Sequence, residues 1–249
     1  MKNNLDQLMT KNNADAIWIS GPTQHNSAMV YMTGLAHVTS ADLFKKLAET
    51  PYLCHGPMER EEAAKSGFHL INYAKYDFKA LLQEANGDYL LANAIRYKQI
   101  LSDIGLSKGR VYLYGQGEIG KSYTTLKHLC GLLPEIEFIG DGKDSILMEA
   151  RATKDQDEIA HIKKMALLTT TVVGNTADFL TTHSVKNNKL VKEDGTPLTI
   201  GDVKKQINLW IAQLGGENPE DTIFAIGRDA GVPHSNGNPD DHLEIGKTI

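Results

Sequence analysis

From Ala16 to Ile139, short apolar runs alternate with stretches of helical periodicity. That alternation restricts the first half of the chain to an α/β arrangement. The runs are Ala16-Ile17-Trp18-Ile19, closed by Gly21-Pro22; Asn26 to Thr33, ending at Gly34; Pro51 to Cys54; Phe68 to Tyr73; Arg110 to Tyr114; and Ile136 to Ile139. Glycine, proline or polar turn residues bound them, as expected of strands. Between them, Leu5, Leu8 and Met9 sit at helical spacing, and Met58 to Ser66 reads as a helix stopped by Gly67. Asp77 is placed to cap a helix carrying Phe78, Leu81 and Leu82. A further helix runs from about Leu90 to Ile104, and another from Ser122 to Leu133, stopped by Pro134.

The pattern changes at the polar turn Gly140-Asp141-Gly142-Lys143-Asp144, which divides the chain into segments 1–143 and 144–249. Thr153 or Asp155 caps a long helix, with Gln156 or Glu158 completing a capping box. Ile159, Ile162, Ala166, Thr169, Val173, Ala177 and Leu180 form its expected buried stripe. Thr181 to Leu198 is polar, with a turn at Asp194-Gly195 and room for a two-stranded excursion. Thr199 then caps a helix whose apolar face is Val203, Ile207, Trp210, Ile211 and Leu214, with Asp202 favouring its positive end.

A length of 249 residues suits two ordinary domains or one large one. With 41% hydrophobic and 23% charged residues, the chain has the composition of a folded protein. A net charge of -5 disfavours nonspecific nucleic-acid binding. The sequence has neither an apolar run of membrane-spanning length nor a signal-peptide core at its start, so no membrane partner is expected. Cys54 and Cys130 lack CxxC spacing and read as two buried free thiols in a reducing cytoplasm.

The stretch most suggestive of chemistry is Thr222 to Ile249. Ile223-Phe224-Ala225-Ile226 reads as a strand, Gly227 and Gly231 bracket a turn, Pro233 stiffens the backbone beside His234, and Asn236-Gly237 turns again. Gly246 precedes a second strand-like run, Lys247-Thr248-Ile249. A histidine on a rigid turn between strands suits binding or proton transfer. Asp240, Asp241 and His242 can be drawn with it as a metal cluster, but Asn236-Gly237 and Pro239 favour a polar turn with these groups facing water. The other histidines (His25, His37, His55, His69, His128, His161 and His183) share no ligand spacing.

This stretch resembles the pita-bread metallopeptidases, the group of Xaa-Pro aminopeptidase, prolidase and creatinase. The matching pattern is a strand, a G-x-x-x-x-x-P-H turn and L-x-x-G, here Gly227, Pro233, His234, Leu243 and Gly246. Arg151, Lys154, Glu158 and Ile159 match that group's R-x-x-K-x-x-x-E-I entry into its catalytic domain, and Asn26, Tyr31, Thr33 and Gly34 echo its N-x-x-Y-L-T-G. The segment Pro57 to Glu61 is a further echo. The resemblance implies a creatinase/prolidase-like N-terminal mixed α/β domain at 1–143 and the N-terminal portion of an α+β pita-bread domain at 144–249. It implies hydrolysis of peptides with proline next to the scissile bond, and a tendency to form homodimers. It also implies two divalent ions, manganese, cobalt or zinc, whose ligands fall beyond Ile249, so that this chain alone is expected to be inactive. His234 is implied to hydrogen-bond substrate or intermediate without ligating metal.

One motif competes. Gly115-Gln116-Gly117-Glu118-Ile119-Gly120-Lys121-Ser122 fits the phosphate-loop pattern GxxxxGK[ST] between a strand and a helix. It would make the chain a nucleotide-binding protein, with Lys121 on the phosphates and Ser122 on magnesium. Against it, Glu118 places a carboxylate in the loop, and Ile136 to Asp141 has a charge inside the apolar run where an acidic magnesium-binding strand is needed. A third reading is a non-catalytic binding module of the pita-bread type.

Overall fold

A computed structural model describes residues 4–34, 36–142 and 145–249. The chain divides into two units, Met1–Thr153 and Lys154–Ile249. The division falls beyond the polar turn taken as the boundary, of which Lys143 and Asp144 lie outside the described residues. Ile146, Leu147 and Ala150, downstream of that turn, are buried in the first unit's core.

In the first unit the elements run α1 (Leu5–Lys11), β1 (Ala16–Gly21), α2 (Ser27–Thr33), β2 (Ala41–Lys46) and β3 (Tyr52–His55). They continue with α3 (Arg60–Ala64), β4 (His69–Asn72), α4 (Phe78–Glu84), α5 (Tyr89–Asp103), β5 (Gly109–Gly115), α6 (Ile119–Leu132), β6 (Ile136–Gly140) and α7 (Ile146–Ala152). The strands form one six-stranded sheet in the order β4-β3-β2-β1-β5-β6. β2 is antiparallel to β1 and β3, while the β1–β5, β3–β4 and β5–β6 pairs are parallel.

Strand alternation sends side chains into two cores, one on each face. Ile17 and Ile19 join Leu5, Met9 and Leu147 on one face; Ala16 and Trp18 join Phe44, Ile100 and Leu129 on the other. Trp18 is paired with Phe44 in the β1–β2 register, and their ring centroids are 5.2 Å apart.

Two elements depart from the sequence reading. The run Asn26 to Thr33 is a helix, α2, not a strand. Asn26 decides this locally: its side-chain oxygen accepts from the Met29 amide at 3.4 Å, an N-cap, and its Nδ2 donates to the Ser20 carbonyl. Strand β2 was hidden by Lys45 and Lys46. Lys45 is only 1% exposed, its Nζ held 2.6 Å from Asp6 Oδ1 on α1 and donating also to the Lys46 carbonyl. A buried lysine is tolerated because it is paired and hydrogen-bonded.

The second unit comprises α8 (Gln156–Thr182), the hairpin β7 (Ser184–Lys186) and β8 (Lys189–Val191), α9 (Ile200–Gln213), and an irregular stretch to Ile249 with one 3₁₀ turn at Asp229–Gly231. The expected caps form, with capping boxes from Asp155 to Glu158 and from Thr199 to Asp202. The hairpin turns through Asn187 and Asn188, both at positive φ, as a two-residue hairpin turn requires. The buried face of α8 is Leu168, Val172, Thr176 and Phe179, rotated from the expected stripe; Ile162 is 52% and Val173 65% exposed. Phe179 packs edge-on against Trp210 of α9 at 5.7 Å, and that contact selects the face. Among the described residues, no helix is long and apolar enough to cross a membrane.

Candidate functional site

The stretch that carries His234 is held by backbone pairing rather than by strands of its own. Residues 239–245 thread between the β7–β8 hairpin and the start of α9. The amides of Leu190 and Leu198 donate to the carbonyls of Leu243 and Leu190, and those of Leu243, Ile200 and Ile245 donate to Leu198, Asp241 and Asn188. Leu243, Ile226 and Leu198 are buried there with Val203. The strands expected at Ile223–Ile226 and Lys247–Ile249 do not form. A strand needs a ladder, and these two runs are joined by one bond, Gly227 N–H to the Thr248 carbonyl at 2.8 Å, while Ile223 is 61% exposed.

The turn itself is held by local backbone hydrogen bonds. Val232 and Ser235 donate their amides to Asp229 and Val232. Gly237, at φ +73, lies where a Cβ would come within 2.5 Å of the Phe224 carbonyl, so only glycine closes the loop. His234 adopts φ +63, uncommon for a side chain of its size, and is exposed. Its imidazole has no hydrogen-bond or ion-pair partner among the described residues. Asp240 is exposed, whereas Asp241 and His242 are half-buried rather than facing water. The Lys189 ammonium lies 2.7 Å from His242 Nδ1. Since an ammonium only donates, Nδ1 is the acceptor and the proton of the neutral ring sits on Nε2.

The phosphate-loop motif has a different occupant. Glu118 is the N-cap of α6, and its carboxylate accepts from the Gly120 amide at 3.0 Å and the Lys121 amide at 2.6 Å. Those amide bonds, first Lys121 and then Gly120, hold the Glu118 carboxyl below the usual glutamate range. The loop therefore already holds an anion where phosphate would sit. Lys121 Nζ lies over the Tyr89 ring, 5.5 Å from its centroid.

A second polar constellation was not anticipated, because its members are scattered through the sequence. Asp42 of β2 is 3% exposed and accepts three hydrogen bonds: from Trp18 Nε1 at 2.8 Å on one oxygen, and from the hydroxyls of Tyr73 at 2.5 Å and Tyr97 at 2.9 Å on the other. Cys54 lies beside it in the β2–β3 register and is buried as expected, whereas Cys130, on α6, is exposed rather than buried. Burial first, and the Asp42 charge second, push the Cys54 thiol and both tyrosine hydroxyls up. Asp42, Cys54 and Tyr97 are buried inside the first unit and Tyr73 is half-buried, as suits a structural network.

Among the described residues no group of three His, Cys, Asp or Glu side chains is placed to hold a metal ion. The described residues therefore offer no site that fits the two divalent ions implied by the resemblance.

Compared with known proteins, the sequence matches no protein-family model and no curated protein. The fold does match solved structures. A dipeptidase from Pyrococcus horikoshii OT3 matches 99% of this chain and 59% of its own, at TM-score 0.63 and 17% identity. The X-Pro aminopeptidase from Thermotoga maritima MSB8 matches 99% of this chain and 58% of its own, at TM-score 0.61 and 16% identity. The recombinant prolidase from Thermococcus sibiricus matches 98% and 57%, at TM-score 0.63 and 13% identity. The likeness takes in both units and is one of fold; the chain spans less than three-fifths of the length of these structures.

Proposed function

We propose that this chain serves the hydrolysis of peptides with proline beside the scissile bond, as a portion of a cytoplasmic, metal-dependent peptidase of the Xaa-Pro aminopeptidase or dipeptidase type. The observation that carries this reading is the extent of the fold likeness. It covers 98–99% of the chain, both units together, instead of stopping at the sheet of the first. Ions such as manganese, cobalt or zinc would be held by ligands outside the described residues, so no hydrolytic step is assigned to this chain by itself. Its own contribution is His234. An exposed imidazole without a partner among the described residues, on a turn held by backbone bonds, supports a role as hydrogen-bond donor to a substrate carbonyl. Dimerisation with a second copy is part of the same reading.

The test uses the purified chain, the dipeptide Ala-Pro and manganese. Ala-Pro is expected to shift the His234 ring resonances, with no release of proline whether or not manganese is added. A His234 ring that ignores Ala-Pro would overturn the substrate contact. Release of proline on adding manganese would show that the chain holds a working metal centre, against the division of labour argued above.

A further inference from the structure

A groove of about 450 Å³ lies in the first unit, formed by α4, α5 and the turn that carries Lys75 and Tyr76. That volume falls in the range of small-molecule sites, roughly 300–1,000 Å³. Its floor is apolar: Tyr76 is 6% and Ile95 9% exposed. At one end the charges are already satisfied. Asp103 takes the Lys75 ammonium at 2.6 Å and the Tyr76 hydroxyl at 2.7 Å, and those two bonds hold its carboxyl below the usual aspartate range.

The remaining lining groups are not satisfied. Glu84, at the end of α4, and Lys98, on α5, both face the groove and are exposed. Neither has an ion-pair or hydrogen-bond partner among the described residues, and nor do the side chains of Gln99 and Ser102 on the same α5 wall. Among the described residues the groove thus presents one unpaired anion on one element, one unpaired cation with two neutral hydrogen-bonding groups on the other, and the buried apolar surface of Tyr76 and Ile95 in the same lining.

We propose that this groove binds a small zwitterion with an apolar side chain, a free α-amino acid or a short peptide. The ligand's ammonium goes to Glu84 and its carboxylate to Lys98, with Gln99 and Ser102 donating further hydrogen bonds to that carboxylate. Its side chain lies on Tyr76 and Ile95. A simple anion would meet Glu84 and Asp103, and a simple cation would meet Lys75 and Lys98, each at the cost of like-charge contact. Only a ligand carrying both signs satisfies both walls. This site is built from residues of the first unit alone and does not depend on the peptidase reading.

The experiment is a titration of the whole chain with L-leucine, followed by backbone amide spectra. N-acetyl-L-leucine and L-leucine methyl ester serve as analogues that each lack one charge. L-leucine is expected to shift the amides of Tyr76, Ile95, Gln99 and Ser102 with a dissociation constant of about 1 mM, the affinity of a weak, solvent-open contact. Both analogues should bind at least about tenfold more weakly, and Glu84→Gln and Lys98→Gln should each weaken L-leucine by about tenfold, one lost charge-assisted hydrogen bond. Both substitutions are at exposed positions and leave the amide spectrum otherwise intact. The proposal is overturned if L-leucine shifts nothing in the groove, if the analogues bind as well as L-leucine, or if either variant binds it unchanged.

Discussion

Replacing Asp42 tests the buried network of the first unit in a way that separates charge from hydrogen bonding. Asp42→Ala removes the only acceptor that Trp18 Nε1 and the hydroxyls of Tyr73 and Tyr97 have among the described residues, all in contact with it at 2.5–2.9 Å. Each donor left unpaired in an apolar surrounding costs about 1–3 kcal/mol. Three of them, less some relaxation within a coupled network, give a loss of about 4 kcal/mol. That is a large part of the roughly 5–15 kcal/mol that holds a domain folded.

Asp42→Asn behaves differently because of which oxygen does what. The Trp18 indole occupies Oδ1 and both tyrosines occupy Oδ2. An asparagine can keep its carbonyl toward the indole, which only donates, and turn its amide toward the hydroxyls, which also accept. The expected loss is about 1–2 kcal/mol, the difference between charge-assisted and neutral hydrogen bonds. Urea unfolding followed by the fluorescence of Trp18, with Trp210 replaced by Phe as a common background, reads both variants. If Asp42→Asn costs as much as Asp42→Ala, or if Asp42→Ala stays within about 1 kcal/mol of the parent, the network is not holding the sheet together as argued.

Three further outcomes are expected. Gly115→Ala should cost more than about 3 kcal/mol in the same urea assay, since its Cβ would lie 2.0 Å from the Ser20 carbonyl at a φ of +116. Stability should fall in alkali: the folded-state values of the Tyr73 and Tyr97 hydroxyls lie above the ordinary one, so their contribution is complete below about pH 10 and is lost as pH rises beyond it. A urea midpoint that is flat from about pH 8 to 11 would refute this. Magnesium-ATP should not bind in calorimetry, and Lys121→Ala should change nothing; micromolar binding lost in that variant would restore the nucleotide reading against the Glu118 cap.

Much of the fold was legible because its signals are local. The aspartates at 77, 88 and 155 and Thr199 each cap the helix that follows, and Asp77, Asp155 and Thr199 could be named from sequence alone. What was lost depended on partners distant in sequence. Lys45 reads as a surface residue until Asp6 is brought against it. On α8 the apolar residues outline two faces, and only the meeting of Phe179 with Trp210 decides which is inside. The candidate site divides in the same way. The glycines and Pro233 announced a turn at His234, but not its left-handed backbone or its exposure. Nothing in sequence joins Glu84 to Lys98, because the groove exists only once α4 lies along α5.

The place of β1 in the sheet bears on how the chain is made. On one side it pairs with β2, which follows it closely; on the other, Ala16 to Ser20 pair with Val111 to Gly115. A ribosome adding about 5–20 residues per second needs several seconds to bring out that second partner. Throughout that interval β1 presents an open, apolar hydrogen-bonding edge to its surroundings. The four strands β1 to β4 can assemble as they emerge, but the other two of the six, β5 and β6, are recruited late, from across the intervening helices. A nascent chain stalled before Gly109 would therefore be far more prone to associate with its neighbours than one stalled a few residues after Gly140.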